Sequence, residues 1–334
     1  MLTGRLKRGG TVLAKFQAPV EADLARFREQ YRRTLQSGFR VIDRVVAYMC
    51  RSHGKGIRPT LTLLCASLND GVPNEATIRA AVIVELLHEA TLVHDDVVDG
   101  SEERRGLPSL AARFKNKIAV LFGDYMLAGV LTETLSARDL RWLDILSETA
   151  RRMAKGQLME AARARRLDMN EADYVEMTGD KTAALFSASC RLGALSVNIP
   201  DEMVAALGIY GEKLGIAFQV RDDMLDLFGG DRGFGKPVGR DMKDKKLTLP
   251  LLAALSKVEK REARRIKARL RRGLKRGETK RIIEFVRRHG GDVYAEEFMR
   301  SQVKGAVEAL EVLPESPIRD LLGELAEFSV RRGR

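Results

Sequence analysis

Apolar residues recur at spacings of three and four along most of the chain, which is the period of an amphipathic helix. The spacing is clearest at Leu24, Phe27, Tyr31 and Leu35, at Leu140, Leu143 and Leu146, and at Val303, Val307 and Leu310. Breaks rich in Gly, Pro, Asn and Asp separate these stretches at residues 54–59, 69–73, 100–108, 198–201, 229–239 and 313–317. All of these breaks are short, so we predict one domain over residues 1–334, with residues 1–20 as a candidate mobile N-terminal segment.

The composition favours helix over sheet. Of the 334 residues, 45% are hydrophobic but only 6% are aromatic, and Ala, Leu, Arg and Glu are abundant, so we predict an all-α protein. No unbroken apolar run reaches the roughly 18 to 20 residues of a membrane span, and the basic start lacks the apolar core of a signal peptide. Cys50, Cys65 and Cys190 fit neither a disulfide framework nor a zinc site. We expect buried thiols and a cytoplasmic location.

One basic stretch accounts for most of the net charge of +12. Residues 257–288 hold 15 Lys or Arg against four Glu. A solvated pair of helices is the plainest interpretation, and weak attraction to an anionic membrane is the alternative. Nucleic-acid binding would favour aromatic side chains for stacking, and Phe285 is the only aromatic residue in the stretch. We therefore expect no nucleic-acid partner and at most peripheral membrane contact.

Two short motifs place aspartates four residues apart after apolar sequence. The first aspartate motif, DDVVD, covers residues 95–99, and the second aspartate motif, DDMLD, covers residues 222–226. On a helix the first and last carboxylates of each motif share a face and repel one another unless a cation joins them. A solvated acidic helix end would have polar residues upstream, but VIVELLHEATLVH and LGIAFQV precede the motifs. We therefore predict that both motifs bind Mg²⁺, which takes a few carboxylates together with phosphate oxygens.

Basic residues beside glycine-containing breaks indicate that the ligand is a diphosphate. They stand in HGKGIRP at residues 53–59, directly after the first motif, at the start of KTAALF from residue 181, and in GKPVGRDMKDKKLTLP at residues 235–250. Each could be an ordinary surface base. Their position beside glycines, which let the backbone approach a phosphate, favours binding.

With these motifs the chain resembles the trans-isoprenyl diphosphate synthases, the head-to-tail polyprenyl synthetase family. The likeness runs from HGKGIRP at residues 53–59 to the ending LPESPIRDLLGELAEFSVRRGR. It implies an all-α isoprenoid synthase bundle of about ten core helices around a central cavity, in a homodimer. It also implies Mg²⁺-assisted loss of diphosphate from an allylic substrate, attack by the double bond of isopentenyl diphosphate, and loss of a proton.

The resemblance also implies a role for individual residues. The metal ligands are Asp95, Asp99, Asp222 and Asp226, and Asp96 and Asp223 either ligate or are held through water. Isopentenyl diphosphate is held by Lys55, Arg58, His88 and Arg105. The allylic diphosphate is held by Arg104, Lys181, Gln219, Lys236 and Lys246. Thr182 lies beside the developing cation. Lys181 and the aspartates of both motifs are the catalytic residues. One departure from the family pattern is Lys245, because a glycine usually precedes the final lysine.

Product length is expected to depend on the helix before the first motif. Ala90 and Thr91 lie five and four residues before Asp95, about 7 Å down the axis for Ala90. Farnesyl-type members of the family carry an aromatic floor at one of these positions, so small residues here favour a long-chain, octaprenyl-like product of hexaprenyl to decaprenyl length. Geranylgeranyl diphosphate is the alternative product. Ala90 would equally suit close helix packing, with the floor formed elsewhere, for example by Leu127 or Leu131.

Two other functional classes are compatible with part of the pattern. A class I terpene cyclase also carries the first motif, but its second metal site normally has an Asn/Ser/Glu pattern. Product analysis with and without isopentenyl diphosphate separates the two activities. A catalytically silent partner subunit would be expected to lack at least one motif, and both motifs are intact here.

Overall fold

The structure, a computed structural model, describes residues 10–51, 54–229, 239–275 and 277–330. It confirms the all-α prediction. The helices are α1 Gly10–Gln17, α2 Glu21–Leu35, α3 Arg40–Met49, α4 Ile57–Ala66, α5 Glu75–Val98, α6 Leu110–Phe114, α7 Asn116–Ser136, α8 Leu140–Arg166, α9 Glu171–Thr178, α10 Ala184–Leu195, α11 Asp201–Phe228, α12 Arg240–Lys243, α13 Leu249–Ser256, α14 Lys260–Arg272, α15 Glu278–Arg288, α16 Gly291–Ala309 and α17 Pro317–Val330. A 3₁₀ turn covers Ala18–Val20, a π-helical turn covers Gly179–Ala183, and strands β1 Glu103–Arg104 and β2 Leu107–Pro108 pair antiparallel.

The first of two compact units contains the described part of Met1–Glu148 together with Ala188–Gly208 and Val312–Leu322. Within this unit α5 packs most extensively against α7 and also contacts α2 and α4. The side chains of residues 80–84, AAVIV, are completely buried, which makes this part of α5 the core of the unit.

Local signals set the ends of α5. The Asn74 side chain accepts hydrogen bonds from the backbone N–H groups of Ala76 and Thr77, and the Thr77 hydroxyl accepts one from the Asn74 N–H. This reciprocal cap satisfies N–H groups that have no partner within the helix. At the other end, the N–H of Asp99 donates to the carbonyl of Asp95. The first aspartate motif is therefore the last turn of a buried helix.

The second unit contains Thr149–Ser187, Ile209–Glu311 and the described part of Gly323–Arg334. In it α13 contacts α9, α15 and α16. A Cβ atom at Gly215 would lie only 2.5 Å from the Cα of Ala183, so glycine lets α11 approach the π-helical turn closely. This approach brings the second aspartate motif, near the end of α11, to the same part of the unit as Lys181.

The single-domain organisation and the mobility of residues 1–20 stay predictions. Residues 1–9 lie outside the described part of the chain, and α1 begins at Gly10. Two helices, α7 and α11, are long and apolar enough to cross a membrane by length and composition alone. The prediction from unbroken apolar runs did not find them, because charged residues such as Asp124 and Glu133 interrupt the pattern. Length and hydropathy alone are weak evidence for a membrane span, because buried helices of globular proteins pass the same test.

Candidate active site

The first aspartate motif contains three aspartates in different surroundings. Asp95 is half-buried, Asp96 is buried and Asp99 is exposed. Asp95 and Asp99 lie one turn apart at the end of α5, as the spacing predicts. Asp96 instead forms an ion pair of 2.5 Å with Arg104, which β1 carries back towards the helix. Arg104 would have to leave this ion pair before it could hold an allylic diphosphate, and its role stays a prediction.

The residues assigned to isopentenyl diphosphate meet in the first unit. The guanidinium of Arg58 lies 3.0 Å from Nε2 of His88. Burial, followed by the charges of Arg58 and Arg105, holds the pKa of His88 well below its usual range, so the ring is neutral. Because a guanidinium only donates, Nε2 accepts and the ring proton is assigned to Nδ1. His88 therefore offers one N–H donor rather than another charge.

Lys55 and Arg105 line a cavity in this unit that also contains acidic residues which sequence reasoning missed. Glu89 is buried on α5 and accepts a hydrogen bond of 2.8 Å from Arg105. Burial, reinforced by Glu89, raises the pKa of Glu85 to about 7, although the nearby arginines act in the opposite direction. Helical spacing could have identified both residues, because Glu85 and Glu89 lie i and i+4 on α5.

In the second aspartate motif, Asp222 is exposed, Asp226 is half-buried and Asp223 is buried. The backbone N–H groups of Arg240 and Asp241 donate to the carboxylate of Asp226 at 3.1 and 3.2 Å. Burial raises the pKa of Asp226 despite these donors. The chain after α11 thus folds back and fixes the last carboxylate of the motif, while Asp222 faces solvent.

Asp223 belongs to a chain of hydrogen bonds inside the second unit. The buried hydroxyl of Tyr174 donates to Asp223 at 2.6 Å, and the amide of Gln219 donates to its other oxygen at 2.9 Å. Thr182 then donates to the amide oxygen of Gln219 at 2.9 Å. Burial raises the pKa of Asp223 to about 8. Because both oxygens accept bonds within the protein, Asp223 is suited to orienting Gln219 and Thr182 rather than to direct metal binding.

Lys181 and Lys246 meet on one carboxylate. Glu160, on α8, forms an ion pair with Lys181 through one oxygen and lies 3.2 Å from Lys246 through the other. Burial alone would raise the pKa of Glu160, but the two lysine charges outweigh it and hold that pKa below its usual range. Gly156 makes this arrangement possible, because a Cβ there would lie 2.5 Å from the backbone nitrogen of Lys181. A cavity opens beside these residues, and Thr182 and Gln219 also line it.

The structure shows why lysine at position 245, where the family usually has glycine, strains the backbone. Lys245 has a φ of 62°, in the left-handed region that glycine enters more easily than other residues. A side chain there costs about 1 kcal/mol of backbone strain. The turn is held by the N–H of Lys246, which donates to the carbonyl of Asp241 at 2.8 Å. Lys236, also assigned to the allylic diphosphate, lies outside the described residues.

The two residues assigned to product length lie where the helical period puts them. Ala90 is completely buried and Thr91 is half-buried, with the Thr91 hydroxyl donating to the carbonyl of His88 at 2.8 Å. Any product chain passing Ala90 must therefore displace the side chains packed around it. Leu131, one alternative floor, is 57% exposed, so it does not close a buried cavity within the first unit.

The carboxylates fit a divalent cation that arrives together with a diphosphate. Among the described residues, no group of three His, Cys, Asp or Glu side chains is arranged to hold a metal ion by itself. Each motif offers two outer carboxylates with hard oxygen donors, Asp95 and Asp99 in one and Asp222 and Asp226 in the other. Mg²⁺ needs only one or two carboxylates when phosphate oxygens and water complete its six ligands. The residues present therefore fit Mg²⁺ bound together with its substrate.

Glu160 and Tyr174 are the residues of the second unit that sequence reasoning missed. Tyr174 lies seven residues before Lys181, the two-turn spacing that relates His88 to Asp95, and this spacing could have drawn attention to it. Glu160 stands in the run QLMEAARARR, where one acidic residue beside arginines resembles an ordinary surface charge.

The comparisons with known proteins agree with this geometry. A family model described as polyprenyl synthetase matches residues 39–286. The short chain isoprenyl diphosphate synthase of Methanothermobacter thermautotrophicus is 33% identical over 293 residues, which cover 86% of this chain and 90% of that protein. The crystal structure of a decaprenyl diphosphate synthase from Rhodobacter capsulatus has a TM-score of 0.91 at 33% identity, covering 96% of this chain and 99% of the other. A polyprenyl synthase from Caulobacter crescentus, crystallised with calcium and isoprenyl diphosphate, has a TM-score of 0.88 at 32% identity, covering 96% and 98%. The chain belongs to the polyprenyl synthetase family.

Proposed function

We propose that this chain is a Mg²⁺-dependent prenyltransferase that condenses isopentenyl diphosphate head-to-tail onto an allylic diphosphate to make a long-chain trans-polyprenyl diphosphate. Membership of the polyprenyl synthetase family makes the chain a trans-prenyl diphosphate synthase. The observation that carries the proposal is the meeting of Lys181 and Lys246 on Glu160, in the same unit as the second aspartate motif. A leaving diphosphate needs such a pair of donors beside its metal-binding carboxylates.

The reaction begins with departure of diphosphate from the allylic substrate. When bound, Mg²⁺ would neutralise the negative charge that develops on the leaving diphosphate. Lys181 and Lys246 donate hydrogen bonds to that diphosphate, and Thr182, oriented through Gln219, places an oxygen near the carbocation. Lys55, Arg58, His88 and Arg105 hold isopentenyl diphosphate. Its double bond attacks the cation, and a proton then leaves the new chain. Positioning and charge stabilisation account for this chemistry without a nucleophilic side chain.

The long-chain product is supported by the small residues at Ala90 and Thr91 and by the likeness to the decaprenyl diphosphate synthase of Rhodobacter capsulatus. The similar identity to a short chain synthase keeps geranylgeranyl diphosphate as the second candidate. Two intact aspartate motifs argue against a class I terpene cyclase.

We also propose that the active form is a homodimer. One face of α7 exposes large apolar side chains, with Leu121 55%, Leu131 57% and Leu135 67% exposed. These residues lie on one side of the helix by the 3.6-residue period, together with Val120. Asp124 lies within this face, but its three leucines and Val120 form the kind of exposed apolar surface that another protein covers, and a second copy of the chain is the partner we propose.

The function is tested by incubating purified protein with isopentenyl diphosphate, each allylic primer from dimethylallyl to geranylgeranyl diphosphate, and Mg²⁺, followed by chromatography of the dephosphorylated products. We expect products longer than geranylgeraniol, and no turnover in excess EDTA. Asp95→Ala and Asp222→Ala should each lower kcat by about 100-fold or more, because an outer carboxylate of each motif is lost. Asp144→Ala, which removes an exposed aspartate of α8, is the control. Formation of cyclic products without isopentenyl diphosphate, or normal turnover by either motif variant, would contradict the proposal.

A further inference from the structure

A strongly basic surface in the second unit lies on α14 and takes no part in the proposed reaction. This helix carries eight basic residues and one acidic residue. Ile266 and Leu270 anchor it, with 6% and 0% of their surface exposed. Its opposite side, which we name the arginine face, is exposed and consists of Arg261, Arg264, Arg265, Ala268 and Arg272. The 3.6-residue period places all five on one side of the helix.

Most of the charge of the arginine face is not neutralised by ion pairs within the described part of the chain. Arg272 forms an ion pair with Glu278. Arg261, Arg264 and Arg265 form no ion pair with any carboxylate in the described part of the chain. Glu262 is three residues before Arg265 on the same helix, a spacing at which side chains can meet, but the two form no ion pair. Three adjacent guanidinium groups therefore face solvent with their charge available to an anionic partner.

We propose that the arginine face docks on the anionic headgroups of a lipid bilayer. Its guanidinium groups have the planar, bidentate geometry that binds phosphate oxygens. Because the apolar side of α14 is already buried in the protein, docking is an electrostatic adsorption that inserts no side chain into the acyl region. A straight helix of 13 residues spans about 20 Å, and a flat bilayer surface can contact the four arginines of the arginine face together.

This inference rests on the proposed function for the choice of partner. A long-chain polyprenyl diphosphate joins an anionic head to an apolar chain, so it partitions into a bilayer and not into water. An enzyme held at the bilayer surface releases that product next to its stable environment. Nucleic acid would also attract arginines, but the arginine face carries no aromatic side chain on which the bases of a single strand could stack, and binding to duplex DNA is an outcome of the test.

The test is sedimentation of the full-length protein with sucrose-loaded vesicles, without substrate. One set contains phosphatidylcholine alone, and the other contains about 30% phosphatidylglycerol. The variant Arg261→Gln/Arg264→Gln/Arg265→Gln is compared with the control Arg40→Gln/Arg44→Gln/Arg113→Gln, which removes the same charge from exposed positions of the first unit. We expect wild type to bind only the anionic vesicles and to be released as NaCl rises from about 0.05 to about 0.3 M. The α14 variant should bind about 100-fold more weakly, and the control variant should stay within about threefold of wild type.

Equal binding to neutral and anionic vesicles, or equal weakening in both triple variants, would refute the inference. So would tight binding to duplex DNA under salt conditions where anionic vesicles do not bind. Turnover without vesicles should be the same in all three proteins, because none of the changed residues contacts substrate. An active wild-type enzyme that ignores anionic vesicles refutes docking alone. Vesicle binding that depends on α14, in a protein without prenyltransferase activity, supports docking and refutes only the proposed function.

Discussion

At the scale of single residues, Glu160 shows how one carboxylate can organise a binding site for an anion. Its two oxygens each hold one lysine, and those lysines come from the π-helical turn and from the segment before α13. The carboxylate opposes substrate binding by its charge, but it also keeps two ammonium groups side by side. Like charges about 4 Å apart repel by about 4 kcal/mol at an effective dielectric constant of about 20, so without Glu160 one lysine must turn away or lose its proton.

We therefore predict that Glu160→Gln raises the KM for the allylic diphosphate by about tenfold or more. The KM for isopentenyl diphosphate should stay within about twofold of wild type, because the residues proposed to bind it lie in the first unit. Steady-state kinetics with each substrate varied in turn measure the effect. Glu176→Gln is the matched control, since Glu176 pairs with Lys155 at an exposed site in the same unit. Unchanged or tighter allylic binding in Glu160→Gln would show that the lysines need no bridging carboxylate.

At the scale of elements, α5 combines three functions along one axis. Its capped start and buried middle form the core of the first unit, His88 and Glu89 face the isopentenyl set, and its last turn is the first aspartate motif. Ala90 lies between the last two functions and is completely buried. If Ala90 has its proposed role, a change at this position acts on product length and on core packing together.

We predict that Ala90→Tyr shortens the main product to farnesyl diphosphate while the first condensation continues, because an aromatic ring at this position blocks further growth of the chain. Overpacking should also lower stability by about 1 to 3 kcal/mol, so Thr91→Phe, at a half-buried position, provides a second variant. Chromatography of dephosphorylated products measures the change, with Val72→Tyr at an exposed site as control. If both variants fold and their product length is unaltered, Ala90 and Thr91 do not control product length.

At the scale of the whole molecule, the exposed apolar face of α7 is the proposed interface of the homodimer. Leu131→Glu/Leu135→Glu should convert a dimer to a monomer, because charged side chains cannot be buried without partners in an apolar interface. Sedimentation equilibrium measures the mass, and Val293→Glu, on an exposed position of α16, is the control. A wild-type protein that sediments as a monomer would refute the homodimer.

The sequence predicts the periodic and repeated features of this molecule well. The helical class, the two aspartate motifs and the cations beside glycine-containing breaks follow from spacing and residue type. Contacts between residues far apart in the chain do not, and Glu160 is the clearest example, because neither its neighbours nor its spacing points to Lys246. The differing surroundings of Asp96 and Asp223 also depend on tertiary contacts, with Arg104 and Tyr174 respectively. The motif shows which carboxylates lie close together in the structure. Tertiary contacts determine which of these carboxylates remain available to bind a metal.

The π-helical turn at Gly179–Ala183 determines how this enzyme tolerates the deletion of a single residue from its polypeptide. Such a turn contains one residue more than an α-helical turn and is held in place by tertiary context at a cost in local stability. Deleting one residue within it would let the segment relax to a regular α-helix, and the residues inside the turn would change position while the helices on either side keep their register. The deletion would favour the local helix but turn Lys181 and Thr182 away from Glu160 and Gln219. Stability and activity therefore make opposite demands on the number of residues in this turn.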